Sequence, residues 1–212
     1  MSTGARTSST GRSRGPTSGR ARLVVAPLAV DVTAAEAVRR LAHRARVTAW
    51  SGAWSRGALV TCDPQHVVHV PAGEDPGAVL ARVPVVAPDP AHPDAVGGGW
   101  FGYLAFPGAR DAGVPAASLG WYPDVLRHDG RRWWYEALVT DGDDENAPAA
   151  RRAALLADLR RPVALPPARL RLRVRPDQAR HVAAVERCQQ AIRRGDIYQA
   201  NIATSLDLQL SG

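Results

Sequence analysis

VLRHDGRRWWYEALVT, residues 125–140, reads as two strands around a turn. Val125–Arg127 and Trp133–Thr140 are dominated by β-branched and aromatic side chains. Asp129-Gly130 between them is a dipeptide that supplies the positive φ angles of a tight hairpin. An antiparallel pair therefore anchors the reading. Toward the N-terminus, GALVTC (57–62) and HVVHV (66–70) read as two strands joined by a turn at Asp63-Pro64-Gln65. RVPVVA (82–87) is a further strand-like run inside a stretch punctuated by proline and glycine. Gly97, Gly99 and Gly102 match GxGxxG by letter, but WFGYLAF (100–106) follows them where a dinucleotide fold requires a helix. They read as a glycine-permitted turn into a buried strand.

Helices alternate with these strands irregularly. Thr33 and Glu36 form a capping-box pair ahead of Ala34, Ala37, Val38 and Leu41 at helical spacing, which predicts a helix to about His43. The acidic GDDENAP (142–148) reads as a surface loop, followed by a helix over Ala149–Arg160 burying Ala153, Leu155, Leu156 and Leu159. Arg169–Arg175 alternates arginine with apolar residues, the period of a half-buried strand; its arginine face either binds an anion or is solvated edge charge. After Pro176-Asp177 an amphipathic helix runs to Arg194 with Ala184, Val185, Cys188, Ala191 and Ile192 on one side. Gly195 stands where a helix end takes a left-handed residue, and Ile197–Leu210 reads as an extended strand. The fold class is α+β, mainly antiparallel sheet with flanking helices.

Composition narrows the function classes. At 45% hydrophobic and 22% charged residues the chain is globular. The run Leu23–Val30, broken by Pro27 and closed by Asp31, falls far short of the roughly eighteen apolar residues of a membrane span. All 27 basic residues are arginine, and five of them (Arg6, Arg12, Arg14, Arg20, Arg22) sit in an acid-free, Ser/Thr/Gly-rich segment over 1–22, expected to be a disordered tail. That leaves 7 − 5 = +2 for residues 23–212, too little for a nucleic-acid-binding face. Cys62 and Cys188 imply no disulfide framework, and a reducing cytoplasm is expected. Cys62, His66 and His69 have ligand side chains at short spacing but no nearby fourth partner, so no metal site is assigned.

Two segments carry a family resemblance. AVERCQQAIRRGDIYQANIATSLDLQL (184–210) resembles the opening of the chorismate-binding core in component I subunits of aminodeoxychorismate synthase and anthranilate synthase. GGGWFGYLAF (97–106) is similar to the glycine-aromatic strand of their N-terminal domain. Tyr198, Gln199 and Asn201 match the YQVN form typical of aminodeoxychorismate synthase, whereas anthranilate synthases more often carry FQVV. The resemblance implies an N-terminal domain over 23–175 and the first helix and strand of the chorismate-binding domain over 176–212, a truncated form of the anthranilate synthase component I-like fold.

The resemblance also implies a site and its partners. Ala49-Trp50-Ser51-Gly52, then Trp54-Ser55-Arg56-Gly57, resemble the turn that lines a buried tryptophan pocket in these enzymes. Carried across, Ser51 would hydrogen-bond the ligand, with Trp54, Ser55, Arg56 and Gly57 as its wall; an empty turn packed by its own indoles is the alternative. Gln199 and Asn201 would be supporting groups and not catalysts. The complete family enzyme uses Mg²⁺ and a glutamine amidotransferase to convert chorismate and ammonia to 4-amino-4-deoxychorismate for 4-aminobenzoate and folate synthesis. Its acids, acid/base groups and lysine lie in a later half with no counterpart in these residues. No catalytic residue is assigned, and the chain alone is expected to be inactive and poorly soluble. Alternative expectations are an anthranilate synthase component I fragment, one half of a split heteromeric enzyme, or a non-catalytic tryptophan-binding module.

Overall fold

A computed structural model describes residues 19–52, 57–106, 113–164, 168–174 and 176–211. The chain divides into two compact units, one ending at Val163 and one beginning at Ala164. The first unit opens with β1 (Arg20–Leu28), α1 (Ala34–Leu41), β2 (Thr48–Gly52) and β3 (Gly57–Thr61). It continues through β4 (His66–Val70), the short α2 (Gly77–Leu80), β5 (Val85–Val86), β6 (Gly99–Leu104) and β7 (Ala117–Tyr122). β8 (Asp124–His128), β9 (Trp133–Thr140) and α3 (Ala147–Arg160) complete it.

β8 and β9 form the expected hairpin, Leu126 opposite Tyr135 and His128 opposite Trp133. The turn is wider than Asp129-Gly130 alone suggests. Of the two, only Gly130 takes a positive φ, +95°. The Asp129 carboxylate closes the loop instead, accepting the N–H groups of Arg131 and Arg132 at 2.8 and 2.9 Å and the Trp134 indole N–H at 2.7 Å.

β9 is bonded on its other edge to β1, in a six-stranded sheet of order β2-β3-β8-β9-β1-β5. Every pairing in it is antiparallel except β1 with β5. This corrects the expected tail. Arg20–Arg22 belong to β1, with Ala21 opposite Thr140 and Arg22 opposite Val139, so strand pairing orders residues whose local composition does not. Residues 1–18 lie outside the described residues.

A second sheet, β4-β7-β6, is wholly antiparallel. β3 and β4, read as neighbours around a turn, do not pair. β3 pairs with β2 and β8, β4 with β7, and residues 62–65 carry the chain from one sheet to the other. At Pro123 the chain passes back, from β7 to β8. Gly102 lets β6 approach β7: a Cβ there would stand 2.0 Å from the Ser118 carbonyl oxygen.

α1 and α3 cover one face of the larger sheet. Thr33 and Glu36 make the capping box as read, and Ala37 and Leu41 are buried against Leu155 and Leu159 of α3 and Trp133 and Tyr135 of β9. Ala153, expected in the α3 face, is exposed, and Leu156 is half-buried. The Trp133 indole N–H reaches the Val32 carbonyl at 2.8 Å, so the largest core side chain buries no unpaired donor.

In the second unit β10 (Arg169–Val174) pairs antiparallel with β11 (Asp207–Ser211), and α4 (Gln178–Arg194) lies between them in sequence. Gly195 ends α4 in the left-handed conformation at φ +78°, as expected. The strand read over 197–210 is confined to Asp207–Ser211, because only those residues find a ladder partner. The two units together are mixed α and β with antiparallel sheet dominant, and the described residues hold four helices.

The turn carboxylate carries a measurable pH signature. Burial pushes Asp129 up, but the hydrogen bonds from Trp134, Arg132 and Arg131 outweigh it and hold the group at about 2. A carboxylate depressed in the folded state contributes stability above its unfolded value of about 3.9, and that contribution is lost as the pH falls through its folded value. Urea titrations between about pH 4 and pH 2 are expected to show a flatter acid limb for Asp129→Asn than for the wild type, with the variant already less stable at neutral pH.

Candidate functional site

Ser51 and Gly57, two residues of the expected ligand turn, are brought together by the β2–β3 ladder, Ser51 facing Ala58 and Gly52 facing Gly57. Gly57 is required there: a Cβ would stand 1.8 Å from the His128 carbonyl oxygen, where β3 runs against β8. Trp54, Ser55 and Arg56 lie outside the described residues. Ser51 is exposed. Beside it Trp50 meets Phe101 edge-on at 5.9 Å between ring centres, and Phe101 meets Tyr122 in the same way at 5.6 Å. Phe101 and Tyr122 with Leu59 and Val125 form a small apolar cluster next to the turn. The Tyr122 hydroxyl donates to the Arg46 carbonyl at 2.8 Å, which ties the entry of β2 to β7.

Two charged clusters escaped the sequence reading. Glu136 of β9 is fully buried. One of its oxygens accepts the Val96 and Gly97 N–H groups at 2.6 and 3.0 Å, and the other takes Arg127 Nε at 2.5 Å. This carboxylate holds the glycine run in place ahead of β6. Gly97 has φ +78°, and a Cβ there would press on Leu138 and Leu23 at 2.7 Å.

The other cluster centres on Arg151 of α3. Its Nε donates to Asp124 at 3.1 Å, Nη1 to Asp63 at 2.8 Å, and Nη2 to the Cys62 carbonyl and thiol at 3.0 and 3.3 Å. Arg44 joins it, bonded to Asp63 at 3.0 Å and to Asp158 at 2.7 Å. Two of the places where the chain changes sheets, 62–65 and 123, are thus gripped by one guanidinium. Burial pushes the Cys62 thiol up to about 11, despite the Arg151 charge. Burial also raises Asp124, and Arg151 offsets only part of it. Asp63 is driven up by burial too, but hydrogen bonds from Arg151, the Ala45 N–H and Arg44 leave it below the usual carboxylate range. Only the Asp63-Pro64-Gln65 turn hinted at this; the partners of Cys62 and Asp63 lie 18 to 89 residues away.

Tyr198, Gln199 and Asn201 follow α4 in an irregular exposed segment of the second unit, Tyr198 at 93% exposure. Asp196 is paired with Arg194 at 2.9 Å, consistent with a turn residue. His66 packs edge-on against Trp100 at 6.2 Å. Among the described residues no three His, Cys, Asp or Glu side chains are grouped to hold a metal ion. Among them no helix is long and apolar enough to cross a membrane.

The family model for chorismate binding enzyme matches residues 47–212, from the residue before β2 through the α4–β11 segment. The chain therefore belongs to the chorismate-binding enzyme family. A comparison with curated proteins finds no match.

The Arg151 cluster has a direct thermodynamic test. Removing the guanidinium leaves Asp124 buried and Asp63 short of its partner, so Arg151→Ala is expected to lower unfolding stability by about 3 kcal/mol in urea titrations. A loss near that of an exposed surface pair, under about 1 kcal/mol, would contradict the clamp.

Proposed function

We propose that the chain supplies the N-terminal domain and the opening helix and strand of the chorismate-binding core of an aminodeoxychorismate synthase component I. It acts in the cytoplasm with a glutamine amidotransferase subunit and with the remaining core, on the same or another polypeptide. The observation that carries this reading is the segment from α4 to β11. It falls within the family match, has the family's helix–glycine–strand order, and leaves apolar side chains in solvent: Ile192, Leu206 and Leu210 at 43%, 59% and 70% exposure. Such a surface is what an unfinished core would present. Asn201 favours amination at C4 of chorismate over anthranilate formation, through the likeness of its motif to the aminodeoxychorismate synthase form.

In this reading the first unit positions the core and performs no bond chemistry. The Ser51 turn, with Trp50 edge-on to Phe101 beside it, is a pocket for tryptophan in a structural or regulatory role. The complete enzyme's Mg²⁺ would be held elsewhere, because the acids near α4 do not suit it: Asp196 is engaged by Arg194, Glu186 stands exposed, and neither belongs to a three-ligand group among the described residues. No catalytic step is assigned to residues of this chain.

Paired genetic and chemical assays test the proposal. The chain alone is expected to leave chorismate unchanged with ammonia or glutamine. Co-produced with a chorismate-binding core that lacks these elements, and with an amidotransferase, it is expected to restore growth of a 4-aminobenzoate auxotroph. Rescue of a tryptophan auxotroph, or fluorescent anthranilate as the product, would establish the other specificity.

A further inference from the structure

The first unit holds a cavity of about 330 Å³ between residues 63–65, the β8–β9 pair and the start of α3. That is within the size range of small-molecule pockets, about 300–1,000 Å³. Asp63, Asp124, Asp143 and Asp144 line it, and Arg151 is the basic side chain in its wall. Four of the five Arg151 N–H groups are committed to Asp124, Asp63 and Cys62, and Arg44 also pairs with Asp63, so the unbalanced negative charge of the wall is that of Asp143 and Asp144. Asp144 is exposed, with one carboxylate oxygen on the Asn146 N–H and the other without a partner among the described residues. Pro123, Leu138 and Pro148 add an apolar surface.

Tyr135 supplies an independent sign of a ligand. It lines the cavity and is 1% exposed, yet its hydroxyl has no hydrogen-bond partner among the described residues. Asp124 and Arg151 line the same cavity and stand near enough for their charges to act on its phenol. A buried, unpaired hydroxyl costs stability unless something fills its site.

We propose that this cavity binds a small organic amine in its ammonium form, with N–H groups on the carboxylates and the Tyr135 oxygen and its hydrocarbon part against Pro123, Leu138 and Pro148. An anion would face four carboxylates across one engaged guanidinium. A metal ion lacks a three-ligand group among the described residues. The site is distinct from the Ser51 turn and independent of the chorismate reading.

Saturation-transfer NMR on the full 212-residue chain at pH 7, with n-butylamine, n-butanol and butyrate as probes of equal length, tests it. Butylamine is expected to bind saturably, butanol more weakly and butyrate not at all. Tyr135→Phe and Asp144→Asn are each expected to weaken butylamine about ten-fold, the loss of one charge-assisted hydrogen bond. Tyr135→Phe should melt no lower than the wild type, which separates lost binding from lost folding. Butanol binding as tightly as butylamine, no saturable amine signal, or undiminished binding by the well-folded Tyr135→Phe would each overturn the proposal, leaving a cavity that holds only water.

Discussion

Arg151 is the fastening on which the first unit depends. Its two sheets are woven from one another's strands: the chain leaves the larger sheet after β3 to build β4, re-enters it as β5, builds β6 and β7, and returns at Pro123 to form β8. The first and last of these crossings, at 62–65 and 123, both end at this guanidinium, through Cys62 and Asp63 on one side and Asp124 on the other. The Thr61 hydroxyl adds a bond of 2.7 Å to the Asp124 carbonyl, so the corners are stitched together as well as clamped. α3 brings Arg151 into place because Leu155 and Leu159, one and two turns further along, are buried in the core below. Packing of the helix and geometry of the corners are thereby one problem with one solution.

β9 imposes the second constraint. Paired on both edges, it sends Trp133, Tyr135 and Ala137 into the core under α1 and α3, and Glu136 with Leu138 to the opposite face. A slip of one residue would turn Glu136 into the apolar core, away from Arg127 and the Val96 and Gly97 N–H groups. The polar contacts of that carboxylate therefore specify register as well as holding the loop into β6.

Elements with local signals were readable in the sequence. The capping box at Thr33, the hairpin around Asp129-Gly130, and the end of α4 at Gly195 each rest on side chains a few residues apart, and each forms. What failed was non-local. β3 and β4 look like a hairpin because each has good strand composition around a proline turn, but partner choice is decided by β8 and β7, which lie about 50 to 70 positions later. Arg20–Arg22 look like tail, and are strand only because β9 and β5 are there to receive them. The candidate site divides the same way. Ser51 and Gly57 are adjacent as their spacing implies, whereas the Arg44–Asp63–Arg151–Asp124 cluster and the unpaired Tyr135 hydroxyl exist only once distant segments meet.

The central claim is that the two units differ in kind. The first closes over its own core, with Trp133, Tyr135, Leu126 and Leu159 out of solvent; no residue of α4, β10 or β11 is fully buried. Amide hydrogen exchange on the full chain, read segment by segment, tests it most directly. Slow exchange across β1, β8 and β9 with exchange near the unfolded rate across α4, β10 and β11 is the expected result. Equal protection of both units, lost together in one transition, would contradict the account.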